Sequence, residues 1–299
     1  MRARGLAYGL GLVGLAIGCS KKLESPTPSL TSVTPNLVCG EQLTTPVSVS
    51  GDNLTPLPTD TLQSRAVLVL PRVSLTQTSN LDGTAATGTP VVIADDPADA
   101  SKQHVHWMSE QQLSFDVTPG VLAPGVYDVE VANADEQSAR LTHALAVVPP
   151  PTITAVVPMS ICTAQADSVV EIQGTGFLQV GTALPTVAIR NTSMDVFTTT
   201  MPVPSGCSPI AAELGAQIQS CTKLTITIPM GQVQPGSYTL LVTNPAPAAC
   251  ASTQIVPFVV NPPPTISALV PARLCAGGGT ITVQGTGFLQ GATTTITKS

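Results

Sequence analysis

Charge is scarce in this chain of 299 residues: 10 % are Asp, Glu, Lys or Arg, and 12 are basic. Such a chain lacks the basic clusters that neutralise a phosphate backbone, so nucleic acid is excluded as a partner. Aromatic residues make up 3 %, with a single tryptophan. A polysaccharide surface built on several stacking rings is therefore not expected. No apolar run reaches the roughly 20 residues of a membrane-spanning helix. No long segment beyond the N-terminus has helical periodicity. Also missing are a Gly-x-Ser-x-Gly elbow, a His-Glu-x-x-His pair and a phosphate loop. The run Gly277-Gly278-Gly279 precedes a strand rather than a helix and reads as a turn. No catalytic residue, cofactor or metal centre is predicted.

What the chain does have is apolar residues, 43 %, enough to exclude charge-driven disorder. Its 28 prolines and 24 glycines fall between apolar runs and act as turn punctuation. Threonine and valine are plentiful, and both suit a pleated, half-buried surface. The expectation is an all-β protein.

The N-terminus is different. Met1-Arg2-Ala3-Arg4 is a short basic region, and Gly5 to Gly18 is apolar or small apart from the Tyr8 hydroxyl. This has the length and flanks of a secretory leader. It ends Leu15-Ala16-Ile17-Gly18-Cys19, which resembles a bacterial lipobox, although Ala16 stands where that motif prefers leucine. The resemblance implies cleavage after residue 18, acylation of Cys19 and anchoring in a membrane, with Ser20 favouring the outer membrane. Loss of Arg2 and Arg4 takes the formal charge from −6 to −8. Residues 19–27 are expected to form a lipidated tether, of which Ser20 to Thr27 could span about 28 Å.

Three segments repeat. Pro28-Ser-Leu-Thr-Ser-Val-Thr-Pro35, Pro151-Thr-Ile-Thr-Ala-Val-Val-Pro158 and Pro264-Thr-Ile-Ser-Ala-Leu-Val-Pro271 are each followed four residues later by a cysteine, Cys39, Cys162 or Cys275. Each continues into an alternating strand and a glycine turn: Gly51-Asp-Asn-Leu54, Gly174-Thr-Gly-Phe177 and Gly285-Thr-Gly-Phe288. Further on, Ala123-Pro-Gly-Val-Tyr-Asp-Val-Glu-Val-Ala-Asn133 matches Gln234-Pro-Gly-Ser-Tyr-Thr-Leu-Leu-Val-Thr-Asn244 at an offset of 111. Alternating apolar positions turn one strand face to a core, and strands between turn signals suggest a sandwich.

These motifs resemble the IPT/TIG family of immunoglobulin-like domains. The resemblance implies tandem β-sandwiches over 28–148 and 151–260, with an incomplete third repeat at 264–299. That last segment is expected to pack poorly alone, to lean on the second repeat or to offer its strands to a partner's sheet edge. It reads as a fragment of a further module.

Six cysteines remain beyond Cys19, and export permits disulfides. The second repeat holds four of them. The pairings expected are Cys207–Cys221, closing a short loop, and Cys162–Cys250, tying the start of the module to its penultimate turn. Cys39 and Cys275 are then left unpaired, as buried thiols or as sites of intermolecular linkage.

Candidate contact residues are few. His104 and His106 share a strand face at a spacing of two, and Trp107 adjoins them, with a core position as its alternative. Asp95, Asp96 and Asp99 read as a solvated acidic loop, without the order of a calcium loop. Phe177, Phe288, Tyr127 and Tyr238 are repeat equivalents and read as structural. The prolines at 149–151 and 262–264 predict stiff junctions. Together these features predict a non-enzymatic envelope lipoprotein, on the periplasmic side or the cell surface. Its role is that of a spacer or a protein-interaction and adhesion module. The alternative is a glycan- or ligand-binding accessory module with a polysaccharide partner.

Overall fold

The computed structural model describes residues 24–58, 68–94, 104–164, 166–192, 194–215, 217–274 and 278–288. The leader, Cys19, the acidic loop at Asp95, Asp96 and Asp99, and Cys275 lie outside the described residues. The first strands are β1 (Ser29–Thr34), β2 (Leu37–Cys39), β3 (Thr45–Asp52), β4 (Leu57–Pro58), β5 (Leu68–Val69), β6 (Arg72–Ser79), β7 (Val91–Ile93), β8 (Val105–Ser109), β9 (Gln112–Val117), β10 (Gly125–Ala132) and β11 (Ser138–Val148). They build two sheets, ordered β1-β3-β9-β8 and β2-β11-β10-β6-β7, with β4 and β5 as a separate ribbon.

The following strands are β12 (Thr152–Val157), β13 (Ser160–Ile161), β14 (Ser168–Val180), β15 (Thr186–Arg190), β16 (Asp195–Thr199), β17 (Val203–Pro209), β18 (Ile218–Ile228), β19 (Gly236–Thr243) and β20 (Val256–Val260). Their sheets, β12-β14-β18-β17 and β13-β20-β19-β15-β16, repeat the first pair strand for strand. In each module the opening segment serves both sheets. β1 pairs antiparallel with β3, the chain turns at Pro35, and β2 then runs parallel to β11. β12, Pro158 and β13 do the same against β14 and β20. The chain is thus two tandem immunoglobulin-like sandwiches.

Alternation explains the cores. Val47, Val49, Leu113 and Phe115 face Leu75, Val129 and Leu145 in the first module. Ile172, Leu224 and Ile226 face Ile189, Val242 and Phe258 in the second. Burying each large side chain stabilises by about 1.5–3 kcal/mol relative to exposure.

The repeated glycine turn has a steric origin. A Cβ on Gly51 would lie 1.9 Å from the Ser29 carbonyl oxygen, and one on Gly174 would lie 2.0 Å from that of Thr152. The opening strand bulges at this point in both modules and runs against the glycine. Two residues on, Gly176 has φ 72° and its equivalent Asn53 has φ 60°. Asparagine is among the few side-chain-bearing residues that visit this left-handed region routinely. The first repeat therefore keeps the turn although its sequence departs from Gly-x-Gly-Phe.

β21 (Thr265–Val270) and β22 (Thr282–Thr286) pair alone as a two-stranded sheet. Ile266 and Phe288 are 61 % and 46 % exposed, whereas their equivalents Ile153 and Phe177 are buried. Two strands supply one side of a sandwich and cannot cover their own apolar face.

Candidate functional site

The junction between the modules is the most elaborate feature outside the two cores. In β11, Leu145 and Val147 point into the first core, while Ala146 and Val148 point outward and are also buried. Leu37, Cys39 and Val126 extend this outer apolar face. Against it pack Leu178, Ile210, Ala211, Ile218, Ala248 and Cys250 from one end of the second sandwich. The faces are also joined by hydrogen bonds. Gln42 Nε2 donates to the Ala251 carbonyl while the Ala251 N–H donates to Gln42 Oε1 at 2.7 Å. The Ala211 N–H donates to the Leu81 carbonyl at 2.8 Å, and Ser79 Oγ donates to Glu213 Oε1 at 3.3 Å.

A disulfide closes this junction and overturns one expected pairing. Cys250 is bonded to Cys39, 211 residues away, and not to Cys162. Cys39 is therefore not an unpaired thiol, and among the described residues Cys162 is the free, partly buried cysteine. The reason is geometric. Cys39 ends β2 on the outer face that the second module covers, and its Cα lies 5.6 Å from that of Cys250, within ordinary bonding reach. Cys162 occupies the same place in the second module, one module away from this contact. Cys207 and Cys221 are bonded across the directly paired strands β17 and β18.

The asparagines that close the late repeat motif have a role the sequence reading did not assign. Asn133 and Asn244 are both buried. Asn244 Oδ1 accepts the Leu178 N–H and its Nδ2 donates to the Gly176 carbonyl, each at 2.9 Å. Asn133 does the same for the Thr55 N–H and the Asn53 carbonyl, and also donates to Ser25 Oγ at 3.0 Å. Each amide staples its module's glycine turn to the end of β10 or β19. Their identical place in the two repeats was the available clue. Asn133→Ala leaves a buried donor and acceptor without partners, at about 1–3 kcal/mol per group. It is expected to lower the urea midpoint of the first module with its slope unchanged. Asn244→Ala should do the same to the second, by a smaller amount because it has fewer bonds to lose.

Asp135 holds the N-terminal segment. Its carboxylate accepts the Ser25 N–H and, at 2.8 Å, the Ser25 hydroxyl. Thr27 also bonds to Gln137. Residues 25–27 are thus docked on the first module instead of belonging to a free tether. Slight burial raises the Asp135 pKa, but hydrogen bonds from Ser25 and Gln137 outweigh it and hold it below the ordinary 3.8. A depressed value means that docking is fully favoured above pH 3.8 and is lost as pH falls through the lower folded-state value. The Ser25 amide resonance should therefore shift toward an unstructured position below pH 3.8. Asp135→Asn should abolish that transition.

Trp107 and the imidazoles do not form one surface. β8 alternates, so the Trp107 side chain lies on the face of buried Val105, at its rim, opposite His106. Trp107 Nε1 donates to the Leu54 carbonyl at 2.6 Å, which ties the glycine turn to β8. Trp107 as a whole is 37 % exposed. His106 Nε2 lies 3.5 Å from Asp116 Oδ2, and the His104 carbonyl accepts the Asp116 N–H at 3.1 Å. Among the described residues no group of three or more His, Cys, Asp or Glu could hold a metal ion. None of their helices is long and apolar enough to cross a membrane.

By this strand order the chain belongs to the class of tandem immunoglobulin-like β-sandwich proteins. No family model and no curated protein matches it. Among solved structures it is similar to the plexin A4 extracellular region, at 17 % identity, 89 % of this chain, 18 % of that one and a TM-score of 0.33. A surface glycan-binding protein, PbSGBP-B from Prevotella bryantii, aligns at 14 % identity over 78 % of this chain and 43 % of its own, TM-score 0.26. A titin I-band fragment aligns at 14 % identity over 80 % and 65 %, TM-score 0.26. The chain thus spans less than two thirds of each.

Proposed function

We propose that this protein is a non-enzymatic lipoprotein of the bacterial cell envelope, of IPT/TIG type. In this reading it is anchored through Cys19 and holds its two sandwiches as one fixed spacer and protein-interaction unit. The observation that carries the reading is the junction. An apolar outer face, a two-bond amide clamp and a disulfide fix one module against the other, and a spacer needs that more than an independent pair of binding domains does. The two disulfides favour an oxidising compartment, and the leader ending at Cys19 supplies a route there. Docking of Ser25 on Asp135 would shorten the lipidated tether by residues 25–27. The first module would then sit close to the membrane surface.

Protein is the partner class this surface suits better than polysaccharide. The one tryptophan is engaged in holding a turn, and the histidines lie on the opposite strand face. The test is the intact mass of the protein extracted from its native membrane, with and without reduction. Cleavage before Cys19 with added acyl chains, and a gain of about 4 Da on reducing two disulfides, is the expected result. An unacylated chain in the soluble fraction would overturn the anchored spacer.

A further inference from the structure

We propose that this protein bears tension through the Cys39–Cys250 bond, which takes most strands of both sandwiches out of the load path. Pulling on the two ends of the chain loads the backbone from the N-terminus only as far as Cys39, past β1 and β2. From the other end it loads the backbone only as far as Cys250, past β20 and the 264–299 segment. Every strand from β3 to β19 lies inside the loop that the bond closes, as does the Pro149-Pro150-Pro151 linker. The paired cysteines have Cα atoms 5.6 Å apart, so the load crosses from one module to the other at the bond, and of the core strands only β1, β2 and β20, which carry Val33, Val38, Phe258 and Val260, lie on its path. Strands held by hydrogen bonds separate under loads that a covalent bond withstands.

The surroundings of the bond suit this path. The Gln42 amide clamps Ala251, next to Cys250, by two hydrogen bonds. Leu37, Val148 and Ala248 are buried in the same apolar cluster as both cysteines. The linker, read from its prolines as the stiff element of the array, is then a return strand that carries no load. This path goes beyond the envelope reading and holds whether or not Cys19 carries lipid.

The experiment grips the full chain at its N-terminus and at Ser299 in a single-molecule force instrument, with no membrane present. Under oxidising conditions only the segments outside Cys39 and Cys250 should lengthen. The Cys39→Ala/Cys250→Ala variant should release in addition roughly 650–710 Å, from the 197 residues left when the 14 held by Cys207–Cys221 are taken from 211, at about 3.3–3.6 Å each. Should that variant fail to fold, the wild-type protein held at constant force provides the same reading. A dithiol reductant takes up the bond as its own cyclic disulfide and leaves two cysteine thiols, and the long extension should follow in that trace. Release of the long extension by the oxidised wild-type protein would overturn the proposal. So would a variant or a reduced protein that lengthens no further than the oxidised one.

Discussion

Removing the inter-module disulfide by Cys39→Ala with Cys250→Ala should cost more stability than any single side chain in the molecule. A cross-link restricts the unfolded chain more as its loop grows, and this loop spans 211 residues. The chain-entropy estimate for such a loop is about 5 kcal/mol, the upper end of what disulfides deliver. Alanine is the fitting replacement, because both positions sit among apolar side chains where a serine hydroxyl would lack a partner. The apolar face itself remains, so the modules should stay associated near neutral pH in the absence of denaturant. In urea, however, the bond no longer couples their unfolding. We expect the wild-type protein to unfold in one transition and the variant in two, the first at a clearly lower midpoint. Tryptophan fluorescence reports the first module alone through Trp107, and circular dichroism reports both, so divergence of the two curves measures the uncoupling. Coincident, unshifted curves would show that the apolar junction alone holds the pair.

Much of the architecture was readable from local pattern, and the part that was not is the part that lies between modules. Alternating Val47-Ser-Val49 and Val170-Glu-Ile172 each define an inner and an outer strand face, and the repeats carry that assignment from one module to the next. The expected Cys207–Cys221 bond, which lies within one repeat, is present, whereas Cys162–Cys250 is not, because it takes each repeat as self-contained. Cys39 and Cys162 hold the same place in their modules, so Cys250 had two equivalent suitors, and proximity along the chain favoured the wrong one. The apolar run Ala144-Leu-Ala-Val-Val148 in β11 does not separate the two cases, because Val256-Pro-Phe-Val-Val260 in β20 is as apolar and yet has Pro257 and Val259 exposed. The cover on the outer face of β11, over Ala146 and Val148, comes from the second module and is visible only in the fold. The docking of Ser25 left no trace in the sequence either, since one serine and one aspartate 110 residues apart form no pattern.

The second large effect falls on a residue with no side chain. Gly174→Ala places a Cβ about 2.0 Å from the Thr152 carbonyl oxygen and 2.6 Å from the Phe177 ring. The first contact is with backbone held in the β12–β14 pairing, so relief requires β12 to lift from the sheet. That would expose Ile153 and Val156, both buried in the second core, at about 1.5–3 kcal/mol each. Loss of roughly 3–5 kcal/mol is expected, which places the variant among the severe single substitutions. Gly176→Ala separates this steric cause from conformational preference. Gly176 has φ 72° but its nearest neighbour beyond a Cβ would be 3.5 Å away, so its substitution should cost only the roughly 1–2 kcal/mol of a left-handed alanine. Gly176→Asn should cost less still, because Asn53 already holds that position in the first module at φ 60°. The order expected in urea denaturation of the second module is therefore Gly174→Ala far below Gly176→Ala, and Gly176→Asn nearest to wild type. Equal midpoints for the two alanine variants would mean that backbone torsion, and not the crossing of β12, keeps glycine in this turn.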